Sequence, residues 1–533
     1  MRDSRLLFSA VAVMLGASYG CATDELGDSE IDPSDQPELS EVTSFATIPG
    51  CDAAKPTPPF ERDPNGQIHY VQPGGKYCGS TAAGPFTSVP EAVKCAKPGD
   101  TIYIKAGTYP ELRISNYRPD LAQSGVPRHL FISAAPGEKV IIDPKAPLAD
   151  WTSIASVWNS SYVTIANLEI TNSALAQEVQ VRKGSVGLAI GGPDSSGNSY
   201  SHHITLVNNT IHDVGRHAVT LNGGNSFSLE RNTLYNLAQL NQFRDMPIHD
   251  GGVATARNYN TSCVKLTWNA IHDVYGECVG AQRVSGGLIE GNRVYNCYSV
   301  NIYLDASENV AVRRNYAYAD DPTGKYYRWN RPAVGVAIAK EIVNGFTSRN
   351  HEISNNVIER LATGIYYGNY DSSTSANYYS NIVIAHNVIK DMSLRTIAFE
   401  APWANAPGIN KIENNVLFKP WDPAGATVYL EANPPSGWSG GPFTPPAWQV
   451  SHNIFPNGIP AQNGNPSIMR GDDGTNRSGD PGFVGGTGFD FNKFKLAAGS
   501  QAIANGRQTI VTSDYWFTPR GSTPDIGIHE RTP

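Results

Sequence analysis

Residues 229–237 read LERNTLYNL, residues 266–274 read LTWNAIHDV, and residues 289–297 read IEGNRVYNC. Each stretch has an apolar residue, an Asn three positions later, and another apolar residue two positions after the Asn. The intervals between successive Asn residues of this pattern are 23, 37, 23, 23, 41, 31, 28 and 38, a unit of 23 residues with insertions. The Asn residues are Asn209, Asn232, Asn269, Asn292, Asn315, Asn356, Asn387, Asn415 and Asn453.

A unit of this size, made of short alternating segments between Gly and Asn turns, predicts one coil of a parallel β-helix. Helical repeats of similar length would need apolar residues at a period near 3.6, which the repeat does not show. Stacked Asn amides about 4.8 Å apart can bond to one another, and Asn tolerates left-handed backbone at a turn. We therefore predict an all-β fold, a single solenoid in which the nine Asn residues are scaffold and not a binding site.

Both ends of the repeat region carry family resemblances. Gly99-Asp100-Thr101-Ile102-Tyr103-Ile104, followed by Gly107-Thr108-Tyr109, closely resembles the first coil of right-handed parallel β-helix proteins of the pectate-lyase-like superfamily. In that superfamily a short capping helix precedes this coil, and residues 89–96 are its candidate here. Residues 514–520 and 525–530 resemble the C-terminal segment of the same proteins. The resemblance implies the fold over roughly residues 66–531, but the fold hosts lyases, hydrolases, epimerases and non-enzymes.

The N-terminus predicts export. Residues 1–5 are basic and residues 6–17 are apolar, a stretch too short to span a membrane stably. Ser18-Tyr19-Gly20-Cys21 resembles a bacterial lipoprotein signal, which implies lipidation at Cys21. We expect a lipoprotein at the outer membrane or cell surface, with plain secretion as the alternative. The predicted segments are an export signal (1–20), an acidic disordered tether (21–50) and a β-helix domain (51–533), with caps at about 66–115 and 480–531 and central coils at about 160–456.

The net charge of the chain comes entirely from the tether. The net charge is −8, and eight acidic residues with no Lys or Arg lie between Ala22 and Val42. The rest of the chain is neutral and has no basic cluster, which argues against a nucleic-acid partner. With 40% hydrophobic and 10% aromatic residues, the body is too apolar to be disordered. We expect a monomer that touches a membrane only through its lipid anchor.

Six further cysteines permit disulfides in an exported protein. They form two groups of three, so all six cannot pair within their groups, and the pairing is otherwise open. No Cys-x-x-Cys or Cys/His spacing suggests zinc. The six are Cys51, Cys78, Cys95, Cys263, Cys278 and Cys297.

A second strand family aligns in one column, and the residues two positions after the column are mostly apolar as well. Both sets should point inward, so odd offsets should point outward to solvent. Gly335 and Gly364, one position before the column, would then keep that face shallow. The column consists of Leu188, Val219, Val253, Val279, Ile302, Val336, Ile365, Ile397 and Val428.

The outward and flanking positions hold the candidate site. Arg283, Asp305 and Lys340 fall on three successive coils within one residue of alignment and should be neighbours. The alternative is a surface ion-pair ladder of little energetic value. Long insertions around this face supply Trp329 and Trp403 as stacking faces for sugar rings. The remaining candidates are Arg257, Glu341, Glu277 and Asp250 for catalysis, and Tyr303, Tyr366, Gln282 and His217 for substrate binding.

Three functions fit these residues. The favoured one is β-elimination on a uronic-acid polysaccharide, with Arg257 or Arg283 neutralising the uronate and Lys340 as the base, an arrangement that resembles the Lys/Arg pairs of β-helix lyases. The second is glycoside hydrolysis by Asp305 with Glu341, or by Asp250 with Glu277. The third is glycan binding without catalysis.

No cofactor is certain from the sequence. Ca²⁺ stays open as a candidate, although no trio of Asp residues matches the calcium site of the pectate lyases.

Overall fold

The structure is a computed structural model. It describes residue 51 and residues 61–121, 127–191, 201–245, 250–255, 260–341, 347–368, 379–400, 410–420, 428–433, 448–460 and 472–531. The strands of these residues form three parallel sheets, of 15, 13 and 11 strands. Along residues 101–339 each coil adds one strand to sheet 1, then one to sheet 2 and one to sheet 3. Among the described residues after 339, two coils have two short strands in sheet 1, and the last coils add none to sheet 3. Strands pair with the equivalent strands of the next coil, as the repeat predicts.

The strands are numbered in chain order. Sheet 1 contains β1 (Ile68–Lys76), β2 (Thr101–Ile104), β5 (Leu130–Ala134), β8 (Ser161–Ala166), β11 (His202–Val207), β14 (Gly224–Glu230), β17 (Thr261–Thr267), β20 (Val284–Glu290), β23 (Glu308–Arg313), β26 (Ser348–Arg349), β27 (Glu352–Ser354), β30 (Tyr379–Ser380), β31 (Val383–Ala385), β34 (Asn410–Glu413) and β37 (Trp448–Ser451). Sheet 2 contains β3 (Gly107–Tyr109), β6 (Val140–Ile142), β9 (Glu169–Thr171), β12 (Thr210–His212), β15 (Thr233–Leu237), β18 (Ala270–Val274), β21 (Arg293–Cys297), β24 (Tyr316–Tyr318), β28 (Val357–Glu359), β32 (Val388–Lys390), β35 (Val416–Leu417), β38 (Ile454–Phe455) and β39 (Arg477–Ser478). Sheet 3 contains β4 (Leu112–Ser115), β7 (Ser153–Trp158), β10 (Val186–Gly191), β13 (Val219–Asn222), β16 (Gly251–Thr255), β19 (Glu277–Gln282), β22 (Val300–Asp305), β25 (Val334–Ala339), β29 (Thr363–Gly368), β33 (Arg395–Glu400) and β36 (Val428–Asn433).

The predicted Asn ladder is present at the corner between sheets 1 and 2. The Asn292 N–H and Nδ2 both donate to Asn315 Oδ1, at 3.0 and 2.9 Å, and Nδ2 also donates to the Leu266 carbonyl at 2.8 Å. Asn292 Oδ1 accepts the N–H and Nδ2 of Asn269, both at 2.9 Å. The ladder runs one residue further than the sequence predicts, because Asn453 donates to Asn476. The amides satisfy each other in the interior, where water cannot.

The left-handed backbone at this corner falls on the residue before each of the nine ladder Asn residues that the sequence predicts. Arg231, Trp268 and Arg314 have φ of 54°, 59° and 54°, whereas the Asn residues that follow them are not left-handed. The expectation that the ladder Asn makes the left-handed turn is therefore wrong. The residue that turns the chain is separate from the residue that keeps its amide inside the stack.

The capping helix is confirmed as α1, which spans Val89–Cys95 and buries Val89, Ala92 and Val93. A second helix, α2 (Leu175–Val181), was not predicted. It contains only seven residues inside an insertion, so it leaves no helical period in the repeat. Neither helix of the described chain has the length and apolar character of a membrane span. Single turns of 3₁₀ helix occur at Pro119–Leu121, Gln239–Phe243 and Phe491–Phe494.

The six cysteines form three disulfides. Cys78 bonds to Cys95 and Cys278 bonds to Cys297, each within one part of the chain. Cys51 bonds to Cys263 and so joins the two groups of three, as the count required. Cys21 and the rest of residues 1–50 lie outside the described residues.

Candidate active site

The predicted column sets the register of sheet 3. Val253 pairs with Val279, Val279 with Ile302, and Ile302 with Val336, and the register continues to Ile397. At the last strand the prediction is wrong by two residues, because Ile397 pairs with Leu430 and not with Val428. A shift of two leaves the same residues facing inward, so the alternation of apolar and polar residues cannot detect it.

Several strands of sheet 3 carry a Gly that faces the core near the start of the strand. A Cβ added to Gly187, Gly252 or Gly335 would lie 2.6 Å from the Cγ2 of an Ile side chain in the core. These positions, one before the column, therefore face inward, and the expectation that Gly335 and Gly364 form a shallow outer surface is wrong. The physical reason is that the pairing of neighbouring strands skips Gly187, Gly252 and Gly335, so the strict alternation of a regular strand does not continue across these positions.

The middle of the outer face is more buried than the sequence predicts. Asp305 is 0% exposed and Tyr303 is 4% exposed, and Gln282 and Glu277 are also buried. These candidates are not solvent-facing, so the prediction of an exposed cluster is wrong for them. The candidates that remain half-buried at this part of the sheet are Arg283, Lys340, Glu341 and Tyr366.

Lys340 and Glu341 directly follow β25, and Asp305 lies beside them at the end of β22. The Glu341 backbone N–H donates to Asp305 Oδ1 at 2.8 Å, which fixes the chain where it leaves the sheet. Burial lowers the pKa of the Lys340 ammonium below its ordinary value, and the Asp305 carboxylate opposes this shift. Within the described part of the chain, Lys340 Nζ has no hydrogen bond or ion pair, so the alternative of a continuous ion-pair ladder does not describe this lysine.

Tyr303 lies beneath the same group of residues. Its ring packs with Val300, Ala337 and Ala339 in a small apolar cluster on the outer face. Burial raises the pKa of its hydroxyl well above the ordinary value, and the carboxylates of Asp305, Glu341 and Glu277 add to that shift. The charges of three acidic candidates therefore all raise the pKa of the same phenol hydroxyl.

Arg283 directly follows β19, the strand that pairs with β22. Its backbone is left-handed, with φ of 52°, and its N–H donates to the Asp305 carbonyl at 3.0 Å. Its Nε donates to Asn260 Oδ1 at 3.0 Å, and Asn260 directly precedes β17 of sheet 1. Arg257, the alternative cation, lies outside the described residues.

Asp250 and His217 belong to a different group. They lie before the N-terminal ends of β16 and β13, whereas Lys340 and Arg283 follow the C-terminal ends of their strands. Arg216 donates to Asp250 Oδ2 at 2.8 Å. It also forms a bidentate salt bridge with Asp150, with hydrogen bonds of 2.8 and 2.9 Å. His217 Nε2 lies 3.4 Å from Asp250 Oδ1. The Arg216 pair holds the pKa of the Asp150 carboxyl below its usual range.

The alternative that paired Asp250 with Glu277 as acid and base therefore does not fit, because Asp250 is committed to the buried guanidinium. Sequence reasoning missed Arg216 and Asp150. The signal was available, because Arg216 directly precedes a candidate residue.

The aromatic candidates lie apart from each other. Trp329 is 80% exposed at the tip of a hairpin in which Arg328 pairs with Arg331, and the Arg328 guanidinium lies 4.0 Å from its ring centroid. The Tyr366 ring covers Gly368, two residues away on β29. Trp403 lies outside the described residues.

A metal site was left open by the sequence. In the residues that the structure describes, no three His, Cys, Asp or Glu side chains are grouped so that they could hold a metal ion. The buried acidic groups of the site are instead engaged with Tyr303 and with the backbone of Glu341.

Comparison with known proteins bears on the fold. The family model described as "Right handed beta helix region" matches residues 194–378. Together with the three parallel sheets, this match makes the chain a right-handed parallel β-helix, as its sequence predicts. No curated protein sequence matches it.

Three solved structures are similar in architecture. Pectate lyase Pel9A is 16% identical, with a TM-score of 0.46 over 87% of this chain and 96% of its own. XylC in complex with xylose is 13% identical, with a TM-score of 0.47 over 87% and 98%. A polygalacturonase from Erwinia carotovora ssp. carotovora is 11% identical, with a TM-score of 0.44 over 76% and 99%. These values are too low to carry a conclusion about the reaction.

Proposed function

We propose that the chain is an extracytoplasmic enzyme that cleaves a uronic-acid polysaccharide by β-elimination on the outer face of sheet 3, with Lys340 as the base. The observation that carries the proposal is the surroundings of the Lys340 amine. It is a half-buried amine without a hydrogen bond or ion pair to any described residue, and its pKa is lowered by burial. A lysine is a useful base only when its surroundings favour the neutral amine.

The reaction needs one base and one source of positive charge. Lys340 would take the proton from the carbon next to the uronate carboxylate. The electron pair of that C–H bond forms the new double bond, and the glycosidic oxygen leaves and takes up a proton. Arg283, with Arg257 as the alternative, would neutralise the uronate and make the proton more acidic.

Asp305 acts in this scheme as a positioning residue. It is fully buried, and it holds the Glu341 N–H and thereby the chain segment that carries Lys340. Its charge also tunes the lysine, because it stabilises the ammonium form.

Asp305→Asn is expected to shift the acid limb of the pH profile of kcat/KM to lower pH. Removing the carboxylate charge allows the Lys340 pKa to fall further, so the neutral amine forms at a lower pH. The new amide oxygen can still accept the Glu341 N–H, whereas Asp305→Ala removes that acceptor and should lower activity at every pH. An acid limb that stayed in place in Asp305→Asn would contradict the assignment of Lys340.

Glycoside hydrolysis is the second candidate, and the carboxylates around Tyr303 favour it. The carboxylates of Asp305, Glu341 and Glu277 all raise the pKa of the Tyr303 hydroxyl. Glu341 is half-buried, whereas the other two are buried. A hydrolase needs two carboxyl groups on either side of the scissile bond. In this scheme Glu341 would be the group nearest to the substrate.

One assay separates the two reactions. The purified protein is incubated with a panel of uronic-acid and neutral polysaccharides, and both the ultraviolet absorbance of unsaturated uronates and the number of new reducing ends are followed. β-Elimination predicts that both signals rise together. Reducing ends without the absorbance would refute the lyase and support the hydrolase. If neither signal appears while the protein is retarded on a glycan column, the chain is a binding protein and not an enzyme.

Export and lipidation are also part of the proposal. The signal that ends at Cys21 supports anchoring of the mature chain through this cysteine, with residues 22–50 as the tether. Cys21→Ala in a bacterial host is expected to move the protein from the membrane fraction to the soluble exported fraction. An unchanged membrane fraction would show that Cys21 is not the anchor.

A further inference from the structure

The outer face of sheet 3 also holds a recess, on the N-terminal coils and away from Lys340. Its volume is about 390 Å³, within the range of roughly 300–1,000 Å³ that is usual for ligand sites. It crosses four adjacent strands, β4, β7, β10 and β13. We call it the tryptophan groove; it is lined by Ser115, Trp151, Ser153, Ser156, Trp158, Val186, Ala189, Thr220 and Asn222.

Two exposed indoles stand at the ends of one strand of this groove. Trp151 lies two residues before β7 and is 54% exposed, and Trp158 ends β7 and is 42% exposed. Between them, Ser156, Ala189 and Thr220 occupy matching positions on three neighbouring strands. These small side chains leave room above the sheet, so the indole faces can be reached from solvent.

Trp151 is held in place by the buried charges described above. The Arg216 guanidinium lies 4.1 Å from the Trp151 ring centroid, and the His217 ring centroid lies 5.7 Å away. Arg216 is fixed in turn by Asp150 and Asp250. An aromatic side chain held in this way loses little further freedom when a ligand stacks on it.

The hydroxyl groups of the groove are arranged for donation. Arg113 donates to Ser153 Oγ at 3.0 Å and to Ser156 Oγ at 3.3 Å. Each hydroxyl therefore already accepts a hydrogen bond, and its own O–H is the group left for a ligand oxygen. Asn222 adds an amide, whose Nδ2 lies 3.4 Å from Thr220 Oγ1.

The groove has no unbalanced charge in the part of the chain that the structure describes. Its lining residues are all uncharged. The nearest cations are Arg113, which pairs with Glu111 at 2.9 Å, and Arg216, which pairs with two aspartates. Exposed aromatic faces with neutral hydroxyl and amide groups suit an uncharged sugar ring, which is apolar on its faces and rich in hydroxyls at its edge.

We propose that the tryptophan groove is a binding site for neutral pyranose units of a polysaccharide. The inference stands apart from the reaction proposed above, because it concerns binding of sugars that carry no uronate. It also has a consequence for the substrate. Five coil steps separate β10 from β25, which Lys340 follows, about 24 Å at 4.8 Å per step, so one chain of several sugars could occupy the groove and the Lys340 region together.

The test is calorimetric titration of the intact protein with neutral hexasaccharides of glucose, xylose, mannose and galactose. These probes have no uronate, so β-elimination cannot consume them. At least one is expected to bind, and Trp151→Ala and Trp158→Ala should each weaken its binding by about tenfold or more. Replacement of either Trp by Phe, which keeps an aromatic face, should restore most of the affinity.

Tyr77→Ala serves as the control, because Tyr77 is an exposed aromatic residue near α1 and outside the groove. It should bind the hexasaccharide like the unmodified protein. The inference is overturned if none of the four hexasaccharides binds to the folded protein, or if both Trp→Ala variants bind as tightly as the unmodified protein.

Discussion

Lys340→Arg is expected to lower kcat/KM for the cleaved polysaccharide by a factor on the order of 10²–10⁴, the usual contribution of a general base. Arginine keeps the positive charge and much of the length of lysine, but its guanidinium does not lose its proton in a protein. The variant should therefore still bind the polymer and fail to take its proton. The substitution should cost little stability, because Lys340 is half-buried and has no hydrogen bond to any described residue.

The measurement is the initial rate of unsaturated uronate formation, together with a binding assay on the same polymer. Lys419→Arg is a matched control, because Lys419 is exposed and lies two residues after β35 of sheet 2, whereas Lys340 follows a strand of sheet 3 three coils earlier. It should leave the rate unchanged. Full turnover by the Lys340→Arg variant would show that another group is the base.

Asn292→Ala is expected to lower the free energy of unfolding by on the order of 3–5 kcal/mol. The change removes the acceptor for both the N–H and the Nδ2 of Asn269 and the donor to the Leu266 carbonyl. Each buried polar group left without a partner costs roughly 1–3 kcal/mol. The loss should spread no further than the neighbouring coils, because each coil contacts only the next.

The measurement is urea denaturation of the purified protein with the disulfides intact. Asn222→Ala is the control, because among the described residues the Asn222 amide has one hydrogen bond, a long one of 3.4 Å, so the variant should stay within about 0.5 kcal/mol of the unmodified protein. Equal stability of the Asn292→Ala variant and this control would mean that the amide ladder is not needed to hold the coils together.

The repeat predicts most of the architecture. The Asn spacing predicted the ladder, and the apolar column predicted the register of sheet 3 as far as Ile397. Both follow from local rules, since a parallel stack places equivalent residues of successive coils beside each other. The exact pairing of the last strand did not follow, because a slip of two residues preserves the inward and outward faces.

Burial and side-chain partners could not be predicted in the same way. Asp305 has an outward position but is fully buried, and this depends on how the chain after β25 lies against it. Asp250 appeared to be a candidate acid, but its partner Arg216 belongs to another coil and Asp150 to a third. Such contacts join residues 34 to 66 positions apart, beyond the reach of a repeat pattern.

The tryptophan groove was missed for a simpler reason. The column was followed from Leu188 onward, but the register extends one strand back, to Ala155 on β7. That extension would have placed Trp158 on the outer face, three positions after the column. Trp151 would still have been missed, because it precedes the strand and is positioned by Arg216.

The most direct test of the account is a crystal structure of the Lys340→Arg variant with an oligosaccharide of the polymer that the unmodified protein cleaves. The account predicts that the oligosaccharide lies across the outer face of sheet 3, with a uronate unit beside residue 340 and within reach of Arg283. An oligosaccharide bound on sheet 1 or sheet 2, with the outer face of sheet 3 empty, would contradict it.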